Sequence, residues 1–138
     1  MHLNIAVSQF HIQPSEDAEK FFLRLKDLIQ KAHEHGAHLF VLPEYFSLSH
    51  IFGNAPTVEC ELAPYVKKSD HFSQTLQDYL KNLAQELHLT IISGTMPVFT
   101  LSGKLTNRCF TYFPDGSSTY QDKLHMTRWE KEHWNYSE

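Results

Sequence analysis

Apolar residues in the first half of the chain follow two different periods, and each predicts a different element. Leu3, Ile5 and Val7 alternate with polar or small residues, which predicts a short strand, buried on at least one face. From position 18 to position 32 the apolar residues recur at helical spacing, and Gly36 is a natural end for that helix. Residues 39–42 form a second apolar run. The order strand, helix, strand predicts a parallel βαβ unit with a right-handed crossover.

The second half of the chain predicts one more long helix and an antiparallel part of the sheet. Residues 46–68 show no period and predict a long loop with a helical turn. A second amphipathic helix follows, with Ser69 or Asp70 as its cap. A third strand, residues 89–93, is expected to end at Gly94. Turn signals then separate the strand-like residues 98–99, 105–113 and 118–123, which are expected to pair antiparallel.

This order of elements predicts an α/β fold with a mixed sheet and both long helices on one face. The other face of the sheet must pack on something. A second sheet would complete a four-layer αββα sandwich, and the material for that sheet is incomplete here. The prediction is therefore one incomplete αββα sandwich domain, residues 1–138.

Composition narrows the class of protein further. The formal net charge is −4 and no basic cluster stands out, which argues against a nucleic-acid partner. No apolar stretch approaches the length of a membrane span, and the amino terminus lacks the basic leader of a signal peptide. The two cysteines, Cys60 and Cys109, fit free thiols in a reducing compartment. The expected location is the cytoplasm.

Two charged residues stand where strands of the predicted sheet end. Glu44 follows the second strand, with Pro43 fixing the exit of the chain, and a carboxylate there suits a general base. Lys123 ends the last strand, where an ammonium group can stabilise an oxyanion. From its position alone, Glu44 fits a surface glutamate at the start of a loop at least as well, and Lys123 alone is better explained as an exposed lysine at a strand end.

Two other patterns point away from cofactors. His33, His35 and His38 suggest a metal cluster, but Gly36 breaks the periodicity that would aim three rings at one ion, so a solvated helix end is favoured. The first strand is followed by His11 to Pro14 rather than by a glycine-rich loop, which argues against dinucleotide binding.

Several short motifs, taken in their order and spacing, resemble those of the nitrilase superfamily of carbon–nitrogen hydrolases. The matching positions are residues 5–9, the end of the first helix at 36–37, residues 40–44, residues 92–95, Asn107, residues 114–116 and residues 123–126. The resemblance implies hydrolysis of a non-peptide carbon–nitrogen bond in a small amide or nitrile, without metal or organic cofactor.

The resemblance also implies roles for individual residues. Glu44 matches the general base and Lys123 matches the lysine that stabilises the tetrahedral intermediate. A supporting glutamate is expected shortly after the lysine, and Glu130 is the first choice, with Glu132 the alternative. The stretch 127–132 departs from the commoner proline-containing version, which leaves the substrate subgroup open. The family's cysteine nucleophile lies well downstream of the lysine, and no position of this chain matches it.

The two cysteines of the chain are weak substitutes for that nucleophile. Cys109 lies within a strand and is interpreted as a core residue. Cys60 lies between Glu59 and Glu61, and neighbouring negative charges raise the pKa of a thiol and make it a weaker nucleophile. The first hypothesis is thus the amino-terminal part of an amidase or nitrilase, inactive alone. The alternatives are a non-catalytic interaction or binding domain, which pairs with itself as a homo-oligomer or with a partner, and an unusual hydrolase that uses Cys60.

Overall fold

Five strands and five helices make up the part of the chain that the computed structural model describes, which is residues 2–13, 17–52, 61–134 and 136. In chain order they are β1 (Ile5–Val7), α1 (Ala18–Glu34), β2 (Leu39–Val41), α2 (Leu48–Phe52), α3 (Ala63–Lys68), α4 (Asp70–Glu86), β3 (Thr90–Phe99), β4 (Leu105–Tyr112), β5 (Ser118–Asp122) and α5 (Arg128–Trp134).

The strands form one mixed sheet in the order β1-β2-β3-β4-β5. Strands β1, β2 and β3 pair in parallel, and β3, β4 and β5 pair antiparallel, as the sequence predicts. Consequently β2, β3 and β5 run in the same direction. Their carboxyl ends and the amino end of β4 meet at one edge of the sheet, and this edge carries the candidate chemistry.

Both long helices pack on the same face of the sheet. The apolar stripe of α1 and that of α4 join one buried cluster with side chains of the central strands. Its members include Phe21, Leu25, Ile29, Phe40, Leu76, Leu80, Leu83 and Ile91. This arrangement confirms the predicted α/β fold with helices on one face.

The opposite face of the sheet is open at β1. Ile5 and Val7 point to that face and are 54% and 74% exposed, whereas Ala6 between them packs against the helix-covered cluster. The predicted strand is present, but the prediction that one of its faces is buried is only partly right, because Ala6 is only partly buried. Val41 and Ile92, which continue the row that Val7 begins, are only partly buried.

Strand β3 does not end at Gly94, so the predicted end of this strand is wrong. The strand continues to Phe99 through an irregularity in its pairing between Ile92 and Thr95. Gly94 adopts a φ of +64°, and a Cβ at this position would overlap the carbonyl oxygen of Pro43. Glycine marks a bulge here because the chain that leads to Glu44 crosses directly against it.

Other boundaries depart from the predictions in small ways. The predicted loop over residues 46–68 contains α2 and α3, and residues 53–60 lie outside the described part of the chain. Ser15, a candidate N-cap of α1, also lies outside it, and Asp17 caps the helix by accepting a hydrogen bond from the Glu19 amide. No helix within the described ranges is long and apolar enough to cross a membrane.

A second apolar cluster lies beside the candidate site and ties the last helix to the rest of the fold. Tyr45 and Phe99 pack against it. Its buried members are Ile51, Leu62, Val66, Leu105, Met126, Trp134 and Tyr136.

Candidate active site

Glu44 and Lys123 meet at the shared edge of the sheet. The segment after β2 extends the parallel pairing to β3, because Glu44 bridges to Thr95 and the Tyr45 amide donates to the Thr95 carbonyl at 2.9 Å. Lys123 directly follows β5, and its amide donates to the Asn107 carbonyl at 2.8 Å. Held in this way, Lys123 Nζ lies 2.9 Å from Glu44 Oε1.

Glu130 completes a three-residue charge cluster around the same amine. Lys123 Nζ lies 2.9 Å from Oε1 and 3.0 Å from Oε2 of Glu130. The Tyr45 hydroxyl also donates to Glu130 Oε1. The Glu130 side chain is only 4% exposed, whereas those of Lys123 and Glu44 are 23% and 49% exposed. The cluster thus grades from a buried carboxylate to one that faces solvent.

Local helix chemistry explains why Glu130 points inward. Thr127 and Glu130 form a reciprocal capping box at the start of α5: the Thr127 amide donates to Glu130 Oε2 at 2.6 Å, and the Glu130 amide donates to Thr127 Oγ1 at 3.2 Å. Glu132 instead pairs with Arg128 at 2.6 Å on the exposed side of the helix. Of the two candidate supporting acids, the structure brings Glu130 to Lys123 and keeps Glu132 away.

The hydrogen bonds of the cluster fix its protonation states. Burial opposes the ionisation of Glu130, but hydrogen bonds from Tyr45, Lys123 and Thr127 outweigh it and lower the pKa of Glu130 to about 2. Burial likewise opposes the charge of Lys123, and its bonds to Glu130 and Glu44 outweigh it and raise the pKa of Lys123. Burial, together with the neighbouring groups, raises the pKa of the Tyr45 hydroxyl. At neutral pH the ammonium and the buried carboxylate are therefore both charged, and Tyr45 keeps its proton.

Sequence reasoning missed the contacts of Tyr45 and Asn107. Tyr45, at a φ of 58°, turns its ring onto Trp134 with the centroids 5.3 Å apart, which aims its hydroxyl at Glu130. Asn107 is fully buried on β4 and donates from Nδ2 to Glu44 Oε1 at 3.0 Å. A general signal existed for Asn107, because an amide inside an apolar strand needs a polar partner.

Cys109 does not join this cluster. Cys109 is half-buried on β4 rather than in the core, so that interpretation is wrong: its position in the strand alternation places it on the face that the helices leave uncovered. Its Sγ donates to the Phe110 carbonyl oxygen at 3.8 Å, and burial raises the pKa of the thiol. Cys60 lies outside the described residues.

The histidine-rich end of α1 has ordinary hydrogen-bonding roles. His35 Nδ1 lies 2.7 Å from the Lys31 carbonyl oxygen, and His38 Nδ1 accepts from the Asn4 amide at 3.1 Å. Within the described ranges, no group of three or more histidine, cysteine, aspartate or glutamate side chains is arranged to hold a metal ion.

The fold of this chain is similar to that of several solved structures. The chain is similar to a carbon–nitrogen hydrolase from Helicobacter pylori G27, with a TM-score of 0.76 and 18% identity over 99% of this chain and 45% of that one. An amidase from Nesterenkonia sp. gives a TM-score of 0.68 and 20% identity over 99% and 49% of the two chains. Saccharomyces cerevisiae Nit3, a member of branch 10 of the superfamily, gives a TM-score of 0.67 and 22% identity over 99% and 49%.

The sequence itself identifies the family. Residues 4–138 match the family model described as carbon-nitrogen hydrolase, and the chain belongs to that family. None of the curated proteins compared with the chain matches it. The chain spans about half the length of the solved structures to which it is similar.

Proposed function

We propose that this chain supplies the acid and amine groups of an enzyme that hydrolyses the carbon–nitrogen bond of a small amide or nitrile. One observation carries the proposal: a single ammonium group, Lys123 Nζ, lies 2.9 Å from the half-exposed Glu44 and 2.9 Å from the buried Glu130. Glu44 is accessible to a substrate, and Glu130 holds the amine in place from behind.

Each residue of the cluster has a role in the proposed reaction. Glu44 takes the proton of a cysteine thiol, and the thiolate forms a bond to the carbonyl carbon of the amide. Lys123 stabilises the oxyanion of the tetrahedral intermediate. Glu44 returns the proton to the leaving amine as the carbon–nitrogen bond breaks, which leaves a thioester. Water then loses a proton to Glu44 and attacks the thioester carbon. The carbon–sulfur bond breaks, the acid is released, and Glu44 returns the proton to the sulfur.

We infer that the nucleophile of this reaction comes from outside residues 1–138 and that the chain alone does not turn over substrate. The Nesterenkonia amidase has an active-site cysteine to which acrylamide adds, and that protein is about twice as long as this chain. Cys109 is a poor candidate because its pKa is raised by burial, and because the described hydrogen bonds of Glu44 go to Lys123 and Asn107.

We propose a cytoplasmic enzyme that acts without a nucleic-acid or membrane partner and without a cofactor. The formal net charge of −4 argues against a nucleic-acid partner, and the free thiol of Cys109 fits a reducing compartment.

A second candidate function is a non-catalytic interaction domain on the same scaffold. The open sheet face around Ile5 and Val7 favours it, because apolar side chains there are 54% and 74% exposed. Such a face binds either a second copy of the chain, as a homo-oligomer, or a partner that completes the sandwich.

Ammonia release from a primary amide, a nitrile and an N-carbamoyl compound tests the proposal. The assay compares residues 1–138 with the longest protein product of the same gene. The longer product is expected to be active and to lose at least a thousandfold in kcat/KM in Glu44→Gln and Lys123→Met, while the 1–138 chain has no activity.

Two results would contradict this account. Activity of the 1–138 chain that disappears in Cys60→Ser would establish the unusual hydrolase instead. A gene whose product ends at Glu138 and is inactive towards all three substrates would favour the interaction domain.

A further inference from the structure

We propose that Asn107 is a positioning residue that directs the proton-accepting role of Glu44 to its Oε2 atom. The inference rests on the proposed role of Glu44 as general base. It assigns a function to the buried side-chain amide of Asn107, which is not one of the three charged residues of the cluster.

Asn107 contacts both halves of the acid–amine pair. Its side-chain Nδ2 donates to Glu44 Oε1 at 3.0 Å, and its backbone carbonyl accepts from the Lys123 amide at 2.8 Å. The residue is fully buried near the start of β4, a strand paired on both sides, so these contacts come from a rigid element. One residue therefore fixes the carboxylate and the backbone of the lysine relative to each other.

The two oxygens of Glu44 have different surroundings. Oε1 accepts from both Lys123 Nζ at 2.9 Å and Asn107 Nδ2 at 3.0 Å. Oε2 receives no hydrogen bond from any residue within the described ranges. Since donors stabilise negative charge on the oxygen that accepts them, Oε1 is the anchored atom and Oε2 is the one with lone pairs free for a proton.

The orientation of the Asn107 amide follows from the same chemistry. If the amide were turned over, Oδ1 would face Glu44 Oε1 and two acceptors would repel each other. In the observed orientation, Oδ1 is buried and has no hydrogen-bond partner among the described residues. A buried acceptor without a partner lowers stability. The observed orientation of the amide thus keeps the hydrogen bond to Glu44 and leaves Oδ1 without a partner.

The other titratable groups around Glu44 make no hydrogen bond to the Asn107 side chain in the described part of the chain. They are Lys123 at the end of β5, Glu130 on α5, and the hydroxyls of Tyr45 and Tyr136. A change that follows substitution of Asn107 can therefore be assigned to the lost amide donor.

Carboxyl-carbon NMR of the 1–138 chain tests the inference without any assay of activity. With 13C-labelled glutamate and Glu44→Gln for assignment, Asn107→Leu is expected to change the chemical shift of the Glu44 carboxyl carbon at neutral pH, because Oε1 loses one of its two hydrogen-bond donors. Thr106→Val, a change at the preceding buried residue of β4, is the matched control and should leave that chemical shift unchanged. An unchanged chemical shift in Asn107→Leu, with the amide spectrum of the fold intact, would overturn the inference.

A second measurement on the unsubstituted chain covers the case in which Asn107→Leu does not fold. One of the two Asn107 side-chain amide protons should resonate downfield of the other because it is donated to Glu44 Oε1, and Glu44→Met should remove that difference. Asn107 amide protons with the same chemical shifts in both proteins would also overturn the inference. If Asn107 behaves as expected and the longer gene product is inactive, the proposed enzyme function fails while the anchoring of Glu44 Oε1 by Asn107 stands.

Discussion

The ammonium of Lys123 lies 2.9 Å from a carboxylate oxygen of Glu44, although 79 residues separate the two in the chain. The sheet topology produces this contact, because β2 and β5 run in the same direction and end at the same edge. The amine is shared with Glu130, which is far more buried than Glu44. The two ion pairs should therefore contribute very differently to stability, since solvent screens only the outer one.

Removal of the shared amine should destabilise the fold through its buried partner. Lys123→Met leaves Glu130 charged, 4% exposed and without its counterion. We expect a loss of about 2 to 3 kcal/mol in the free energy of unfolding. Urea unfolding followed by circular dichroism measures it.

Matched variants separate this effect from a general loss of charge. The double variant Lys123→Met with Glu130→Gln should recover much of the loss, because no buried charge is left alone. Lys31→Met breaks the exposed pair with Asp27 and should cost less than about 1 kcal/mol. Equal losses in Lys123→Met and Lys31→Met would show that the inner pair is not buried as described.

Glu130 should make the stability of the fold sensitive to acid. Its pKa is about 2 in the folded chain against an ordinary value of 4.5, so the folded state holds this proton more weakly than the unfolded state. The contribution is fully present above about pH 4.5 and is lost as the pH falls towards about 2. At about 1.4 kcal/mol per pKa unit it amounts to about 3 kcal/mol. Chemical denaturation at a series of pH values measures it.

Glu132 provides the control for this pH dependence. In Glu130→Gln, the curve of stability against pH should be flatter between about pH 4.5 and about pH 2 than in the unsubstituted chain. Glu132→Gln, which removes an exposed carboxylate of the same helix, should leave the slope as it was. The same slope in Glu130→Gln as in the unsubstituted chain would rule out the assigned source of acid sensitivity.

The close approach at Gly94 should tolerate no side chain. An added Cβ would overlap the Pro43 carbonyl oxygen and lie 2.7 Å from that of Leu42, at a φ of +64°. We expect Gly94→Ala to cost about 3 kcal/mol or more and to displace Glu44 from the edge of the sheet. Thermal unfolding measures the loss.

Gly103 offers a control with similar backbone strain and no crowding. Its φ is +80°, and a Cβ there would meet nothing within 4 Å. Gly103→Ala should therefore cost only about 1 to 2 kcal/mol. A loss in Gly94→Ala no larger than that in Gly103→Ala would mean that the chain after β2 does not cross against β3.

The sequence predicted the fold where local pattern and topology rules agree. The apolar stripe of α1 and the run at residues 39–42 specify a parallel unit, and the turn residues of the second half specify antiparallel pairing. The prediction that β3 ends at Gly94 was wrong, because a glycine inside a strand is equally compatible with the end of the strand and with a bulge. Only the tertiary approach of Pro43 decides between them.

The sequence pointed to the charged residues of the candidate site, but it did not predict the contacts of their neutral partners. Glu44 and Lys123 stand at strand ends, where position alone draws attention to them. Thr127 and Glu130 carry a capping-box spacing, a local pattern that distinguishes Glu130 from Glu132. The contacts of Tyr45 and Asn107 join residues 85 and 63 positions apart, and no local pattern encodes such pairs.

The open sheet face should make the chain self-associate. Strand β1 pairs only with β2 among the described strands, so both its edge and the face that carries Ile5 and Val7 are accessible to another molecule. Light scattering should show a mass that rises with protein concentration. Val7→Glu should lower that association about tenfold or more, because it places a charge on the exposed apolar face of β1. Leu23→Glu adds the same charge to the exposed side of α1, where Leu23 is 62% exposed, and should leave association unchanged. A chain that remains monomeric at every concentration would mean that a bare β1 face alone does not drive pairing, and the homo-oligomer proposal would be abandoned.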